Sequence, residues 1–367
     1  MRSALGCVAL GVLLLLVAGT FDAEPLYVAG SALILLGGGA LLWIGAGARG
    51  ASVSRELTAR SVTEGEPLTV RVEVRAGRLP LPPGFVREPL LPEPAPLPAG
   101  RRSLKFRVDA SFERRGRRML APPSLVLRDP LGLVERVVFG ERSDEVLVLP
   151  RTSPVTATAS GGGEGVAAQA RAMLTAAAET EIDGLRPHRE GTPAARIHWS
   201  AYARGAGLME RNLRSESDSR PLVVVDPRGA AEPEHLDAAI RAAGSILLHF
   251  ARRGGCAILL PGDRRATVVE ADLLAWPAVH VRLALLDDAA GPGLYAAQNR
   301  RGLIVFVAAR PLDRPPRALG RTPGGCLLVV PGELPGRRAV LEVSGCRAYV
   351  VGRTGAAAAV AAVGTAS

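Results

Sequence analysis

Lysine is nearly missing from this chain. Of its 45 basic residues, only Lys105 is not arginine. Against 35 acidic residues this gives a formal charge of +10. The arginines come with abundant alanine, glycine and proline, the composition of a GC-rich genome, so the charge alone does not argue for nucleic acid. Aromatics are also scarce, at 4%. No segment interleaves basic and aromatic residues as a stacking platform requires, and no basic face carries a groove-reading motif. No nucleic-acid partner is therefore expected. With 48% hydrophobic residues and few rings, the core must be built mainly from Ala, Val and Leu.

Cysteine is sparse and unpatterned. Cys7, Cys256, Cys326 and Cys346 form no CxxC pair and no Cys/His cluster with zinc spacing. Cys7 lies in an apolar run, and Cys256 and Cys326 open apolar strands. All read as buried small hydrophobes in a reducing compartment. There is no G-x-S-x-G nucleophile elbow. The run Gly161-Gly-Gly-Glu-Gly165 lacks the Gly-Lys-Ser/Thr ending of a phosphate loop and follows no strand, so it reads as part of a linker. No cofactor is expected.

Charge is absent from two long stretches. Ala4 to Phe21 carries none over 18 residues, and Leu26 to Ala48 none over 23. As helices they reach about 27 Å and 34 Å, against a hydrocarbon core of about 30 Å. Asp22-Ala23-Glu24-Pro25 between them suits a tight helical turn. Gly37, Gly38, Gly39 and Ala40 would let the two backbones approach closely. Arg2 precedes the first span and Arg49, Arg55 and Arg60 follow the second, while the turn is acidic. The positive-inside rule then puts both ends, and the bulk of the protein, in the cytoplasm. A cleaved signal peptide is the alternative for the first span. It would leave the bulk on the same side.

The rest of the chain changes texture twice. From Val53 to about Val155, alternating segments such as Leu68-Thr-Val-Arg-Val-Glu-Val-Arg75 and Leu104-Lys-Phe-Arg-Val-Asp109 predict half-buried strands. Leu125 to Leu127, Leu133 to Phe139 and Val146 to Leu149 follow, which suggests a β-sandwich. Eight prolines between Leu79 and Pro98 exclude helix and predict a long extended loop. From Pro221 onward, apolar runs at Leu222–Val225, Cys256–Leu260, Leu303–Ala308 and Leu327–Val330 alternate with a helix pattern over Glu232–Arg253. A second helix is expected within Ala271–Leu286, with Pro277 starting, kinking or breaking it. That order predicts a doubly wound α/β domain, a parallel sheet covered on both faces. Ala339–Val343 and Ala348–Val351 complete the sheet or pair at its edge.

Between these regions lies Gly184 to Asp226, dense in arginine. Arg186, Arg189, Arg196, Arg204, Arg211 and Arg214 surround His188, His198 and Trp199. Thr192 and Pro193 suit a helix start, with Ile197, Ala201 and Leu208 facing inward. The guanidinium forks could hold carboxylates or carbonyls. A hydrolytic set is disfavoured, because His198 and Ser200 are two apart and diverge on a helix.

The order Arg-Pro-His-Arg-Glu-Gly (186–191), Arg-Ile-His-Trp (196–199), Ala-Arg (203–204) and Leu-Met-Glu-Arg (208–211), then a strand ending at Asp226, resembles the signature of the domain of unknown function 58 family. Arg-Arg-Gly-Arg-Arg (114–118) and Asp-Pro-Leu-Gly-Leu (129–133) also match such proteins. The resemblance covers nearly the whole chain. It implies two membrane spans, a β module and a von Willebrand factor A-like, Rossmann-like α/β domain. It also implies an assembly or scaffold role beside a MoxR-type AAA+ ATPase, with no settled activity. Two departures stand out. Family members commonly read Arg-Pro-Gly-Asp-Asp where this chain has Arg189-Glu190-Gly191-Thr192-Pro193. Metal-binding von Willebrand A domains carry Asp-x-Ser-x-Ser after the first strand, where this chain has Asp226-Pro227-Arg228-Gly229-Ala230. Asp226 thus marks a degenerate metal position, and no metal is expected.

The expected layout is a transmembrane helical hairpin (residues 1–50), a β-sandwich-like module (51–155), a linker and helix (156–182), the signature segment with the α/β domain (183–354) and a flexible tail (355–367). The chain reads as a membrane-anchored scaffold without catalytic residues. Arg186, His188, Arg189, Gly191, Arg196, His198, Trp199, Arg204, Leu208 and Arg211 are either a docking patch for a protein partner or an internal brace. A metal-dependent binding module and a hydrolase are the alternatives.

Overall fold

The computed structural model describes residues 2–157, 185–187, 199–205, 207–211, 220–288, 291, 302–312 and 325–351. The chain divides into two compact units. One is Met1–Glu113 with Arg117–Val148, the other Arg114–Gly116 with Leu149–Ser367. The expected tail (355–367), and all of the expected linker and helix (156–182) except 156–157, lie outside the described residues.

The first unit opens with two helices, α1 (Arg2–Phe21) and α2 (Glu24–Ala48). Both are long and apolar enough to cross a membrane. Leu13, Leu35 and Leu42 are 55%, 73% and 75% exposed, so these helices are not the buried core helices of a water-soluble fold. Asp22 turns the chain with φ 52°, and Pro25 sits in the first turn of α2, where its missing N–H costs nothing. The helices run antiparallel in close contact. A side chain at Gly11 would come within 2.7 Å of the Gly30 carbonyl oxygen, and one at Gly37 within 2.8 Å of that of Ala4. The close approach expected of Gly37–Ala40 is met at Gly37 and not at the next two glycines. Gly38 and Gly39 face open space. Gly30 and Gly37 lie seven residues apart, on one helical face, and the next two positions turn away from it.

Ten strands follow: β1 (Ser52–Leu57), β2 (Ser61–Thr63), β3 (Pro67–Arg75), β4 (Gly84–Arg87), β5 (Ala95–Leu97), β6 (Ser103–Ser111), β7 (Gly116–Leu120), β8 (Ser124–Arg128), β9 (Glu135–Phe139) and β10 (Asp144–Leu149). Among the described residues they form sheets ordered β1-β3-β6, β2-β10-β7 and β5-β4-β8-β9. Alternation in β3 buries Leu68, Val70, Val72 and Val74 and exposes or half-exposes the residues between. These side chains share one cluster with Val86, Leu125, Leu127, Val146 and Val148, and with Ile44 and Ala48 of α2. The proline-rich stretch is not one loop, since β4 and β5 lie within it. Pro96 is tolerated because β5 is an edge strand.

In the second unit β11 (Thr156–Ala157), β12 (Leu185–Pro187), α3 (Trp199–Ala203) and β13 (Met209–Arg211) lead to β14 (Leu222–Asp226), α4 (Pro233–Gly254), β15 (Cys256–Leu259), β16 (Thr267–Val269), α5 (Trp276–Ala284), β17 (Ile304–Ala308), β18 (Cys326–Pro331), β19 (Leu341–Val343) and β20 (Cys346–Val351). Pro277 starts α5. The sheet order is β11-β19-β20-β18-β17-β14-β15-β16. β18, β17, β14 and β15 are mutually parallel. The pairs β15–β16, β18–β20, β19–β20 and β11–β19 are antiparallel.

The sheet is thus mixed: the expected parallel strands form its centre, and Leu341–Val343 and Cys346–Val351 pair antiparallel towards one edge. The pairs β15–β16 and β19–β20 are antiparallel because their connections are too short for a crossover. Ser344 and Gly345 alone join β19 to β20. The expected cover on both faces is not met among the described residues. α4 and α5 both pack on the face carrying Val223, Val225, Ile258, Val305 and Val307. The opposite face carries Leu222, Val224, Ala257, Phe306 and Leu328, with no described helix in its cluster.

Candidate functional site

β14 leads away to β15 on one side and has β17 on the other, so the connectivity reverses beside it. The ends of parallel strands at such a reversal are where open α/β sheets place ligands. Asp226 closes β14 at that point and pairs in register with Ala308 of β17. Its carboxylate is 2% exposed, and a buried carboxylate must be paired. Arg228, two residues on, supplies the partner. Its Nε donates to Oδ1 at 2.8 Å, its Nη2 to Oδ2 at 3.2 Å, and its backbone N–H to Oδ1 at 3.3 Å. Arg310, just past β17, brings Nη2 to 3.9 Å from Oδ2. The hydrogen bond from Asp226 raises the Arg228 pKa above its ordinary value. Both Asp226 oxygens therefore face guanidinium, in a position where a divalent cation would need oxygen donors.

Two glycines shape this corner. Gly229 adopts φ +69°, and a side chain there would press on Arg310 Cδ at 3.3 Å. A side chain at Gly291 would meet Arg228 Cζ at 2.7 Å. A side chain at 291 would have to displace that guanidinium.

The arginine-rich signature is described in part. β12 and β13 pair antiparallel, with Arg186 opposite Glu210 and Leu185 opposite Arg211. Trp199 and Tyr202 share one face of α3, edge to face at 6.4 Å, and are 60% and 53% exposed. Arg204 is exposed. Leu208, expected to face inward, is 41% exposed. It sits in the bend just before β13, outside the helical repeat that was to turn it inward. His188, Arg189, Gly191, Arg196 and His198 lie outside the described residues, as do Thr192 and Pro193 of the expected helix start.

A second polar group escaped the sequence reading. Asp237, Arg241 and Ser245 lie at successive four-residue steps on α4, and all are buried. Asp237 pairs with Arg114 Nε at 2.8 Å and Arg115 Nε at 3.1 Å. Arg115 Nη1 also donates to the carbonyls of Leu283, Ala284 and Leu286 at and just past the end of α5, where carbonyls run short of intrahelical donors. Arg241 forks onto Glu234 at 2.8 and 3.0 Å and holds its carboxyl below the usual range. Ser245 Oγ accepts from the Ser153 N–H at 2.9 Å. The one sequence signal was an acid and an arginine inside an otherwise apolar helical stripe.

Two further histidines pack against neighbouring rings. His280 stacks on Trp276, with Nε2 2.7 Å from the Pro150 oxygen. His249 meets the Phe250 ring edge to face, and burial lowers its pKa. Among the described residues no three His, Cys, Asp or Glu side chains converge as a metal site would need. In comparison with known proteins, no family model matches the chain and no curated protein matches it.

Proposed function

We propose that this chain is a membrane-anchored interaction protein, a scaffold or assembly factor whose second unit docks a protein partner. The observation that carries the reading is the exposed pair of rings Trp199 and Tyr202, edge to face, with Arg204 and Leu208 exposed within the next six residues. Large rings and arginine are the residue types that dominate protein interfaces, and this chain has few rings to spend. They lie inside the segment that resembles the domain of unknown function 58 signature, which favours a MoxR-type AAA+ ATPase as partner. The two apolar helices support anchoring in a bilayer, and the flanking arginines favour a cytoplasmic second unit. The alternative, a metal-dependent von Willebrand A-type module, is disfavoured by the Arg228 fork on Asp226.

The test is affinity capture of the tagged full chain from detergent-solubilised membranes. The expected result is co-purification of an AAA+ ATPase, lost in Trp199→Ala and Tyr202→Ala while the melting temperature is unchanged. Loss of thermal stability in both variants would instead identify the segment as an internal brace.

A further inference from the structure

We propose that Arg228 and Arg310 form a metal-free receptor for a single carboxylate, an Asp or Glu side chain of the docked partner. This rests on the reading of the chain as an interaction protein.

The site stands at the ends of β14 and β17, the place in the sheet where ligands are bound. Two guanidiniums meet one buried carboxylate there, which leaves one net positive charge. Arg228 is 46% exposed and Arg310 40%, whereas Asp226 is 3% exposed. The carboxylate is sunk and the cations point outward. An arginine offers five N–H donors. Asp226 takes Nε–H and one N–H of Nη2 from Arg228, and Gly291 lies against the flat of the guanidinium rather than across its tips. The outer edge, Nη1 with the second N–H of Nη2, remains in the geometry that grips a carboxylate with two parallel hydrogen bonds. Among the described residues Arg310 has Asp226 as its only ion-pair partner, at 3.9 Å, beyond hydrogen-bond reach. Its fork is held near the Arg228 edge without being consumed.

The charge balance selects the ligand. One net positive charge matches a monoanionic carboxylate. A phosphate near its dianionic form would leave the site negative, and no lysine or second helix of N–H groups among the described residues adds to the pair. A divalent metal ion finds its oxygen donors already taken. Asp226 acts as the second-row anchor that fixes the orientation of Arg228, so it is a positioning residue.

The experiment is a fluorescence titration of the full chain in detergent with a labelled, end-blocked peptide of alternating Glu and Gly, against its Gln analogue. Wild type should bind the Glu peptide and not the Gln peptide. Arg310→Gln should weaken binding about tenfold, the loss of one charge-assisted contact. Asp226→Asn should tighten it severalfold, because it removes the competing negative charge. A purely structural pair would lose stability in that variant without gaining affinity. Because the whole chain is basic, Arg252→Gln and Arg253→Gln on the far end of α4 serve as controls and should leave affinity unchanged. Equal weakening in those controls overturns the proposal in favour of diffuse attraction. A rise in melting temperature with millimolar inorganic phosphate, together with no Glu-peptide binding, overturns it in favour of a phosphate site. If Arg310→Gln still captures the ATPase as wild type does while Trp199→Ala does not, this site is wrong and the docking function stands.

Discussion

Arg115 Nε sits 3.1 Å from Asp237 Oδ1, with only 5% and 4% of the two side chains exposed. The same guanidinium donates through Nη1 to three carbonyls at the end of α5. One side chain thereby neutralises a buried acid on α4 and caps α5. Arg115→Ala leaves Asp237 with the half-exposed Arg114 alone and removes the side-chain donor from the end of α5, and should cost about 3 kcal/mol, the range for breaking a buried pair. Arg115→Lys should recover less than half, because a point charge cannot serve the carboxylate and the carbonyls together. Urea denaturation of the solubilised chain checks both. Unchanged midpoints would show the pair to be dispensable.

Glu88 of the first unit is wholly buried against Arg55, at 2.8 Å. Its Oε2 lacks a hydrogen-bond partner among the described residues. Burial pushes its pKa up, and Arg55 only partly offsets this. A raised carboxyl pKa in the fold favours the protonated form. The corresponding stability is complete at pH below the unfolded value and is lost as pH rises through the folded value. Glu88→Gln removes that titration. Its stability relative to wild type should therefore increase as pH rises from about 4.5. Arg55 retains Asp144 at 2.8 Å and the carbonyls of Leu120 and Ala121 at 3.0 Å in that variant. Arg55→Ala should cost about 3 kcal/mol at any pH above that range. Melting curves of both variants from pH 4 to 8, in steps of about one unit, read the two trends.

Cys256, Cys326 and Cys346 are buried and unpaired with one another. Burial drives the Cys326 and Cys346 thiols up to about 12. At pH 8 their thiolate fraction is roughly a thousandfold below that of a free cysteine. A water-soluble thiol reagent should leave both unlabelled in the folded chain and label them promptly in denaturant. Fast native labelling of either, read by mass spectrometry, would contradict the packing of β18 and β20.

The β19–β20 hairpin closes with Ser344 at φ 51° and Gly345 at φ 82°, opposite Val343 paired with Cys346. Two successive left-handed residues make the primed turn that suits twisted strands. Ser344 occupies that conformation with a strain that asparagine largely escapes. Ser344→Asn should stabilise by about 0.5 kcal/mol and Ser344→Val destabilise by about 1–2 kcal/mol. Thermal melts of the two variants should move in opposite directions.

What could be read from the residues alone was whatever depends on near neighbours. The alternation in β3 and the apolar runs of β14 and β15 were legible, because period acts locally, while Pro277 marked a helix start, kink or break and the fold selects the start. The proline-rich stretch misled, because prolines forbid a helix without forbidding an edge strand, and Phe85 and Val86 contain none. The pairing of Asp226 with Arg228 was half visible. The arginine was seen as an obstacle to metal, and its role as the acid's partner needed the fold. Arg310 and Gly291, which complete that corner, come from distant segments with no local signature. Asp237 and its two arginines are likewise separated along the chain by more than the whole β module's later strands. The burial of a charge on an apolar stripe follows only once those segments are brought together.

The antiparallel contact of α1 with α2 has a practical consequence for topology. Gly11 lies against Gly30, and Ala4 against Gly37, so Arg2 and Ala48 emerge at the same end of the pair. If both helices cross a bilayer, residue 2 and the segment that follows α2 share one face of it. A small tag fused ahead of Arg2 therefore acts as a reporter for that segment. If it is shielded from protease in sealed vesicles, β1 is shielded as well.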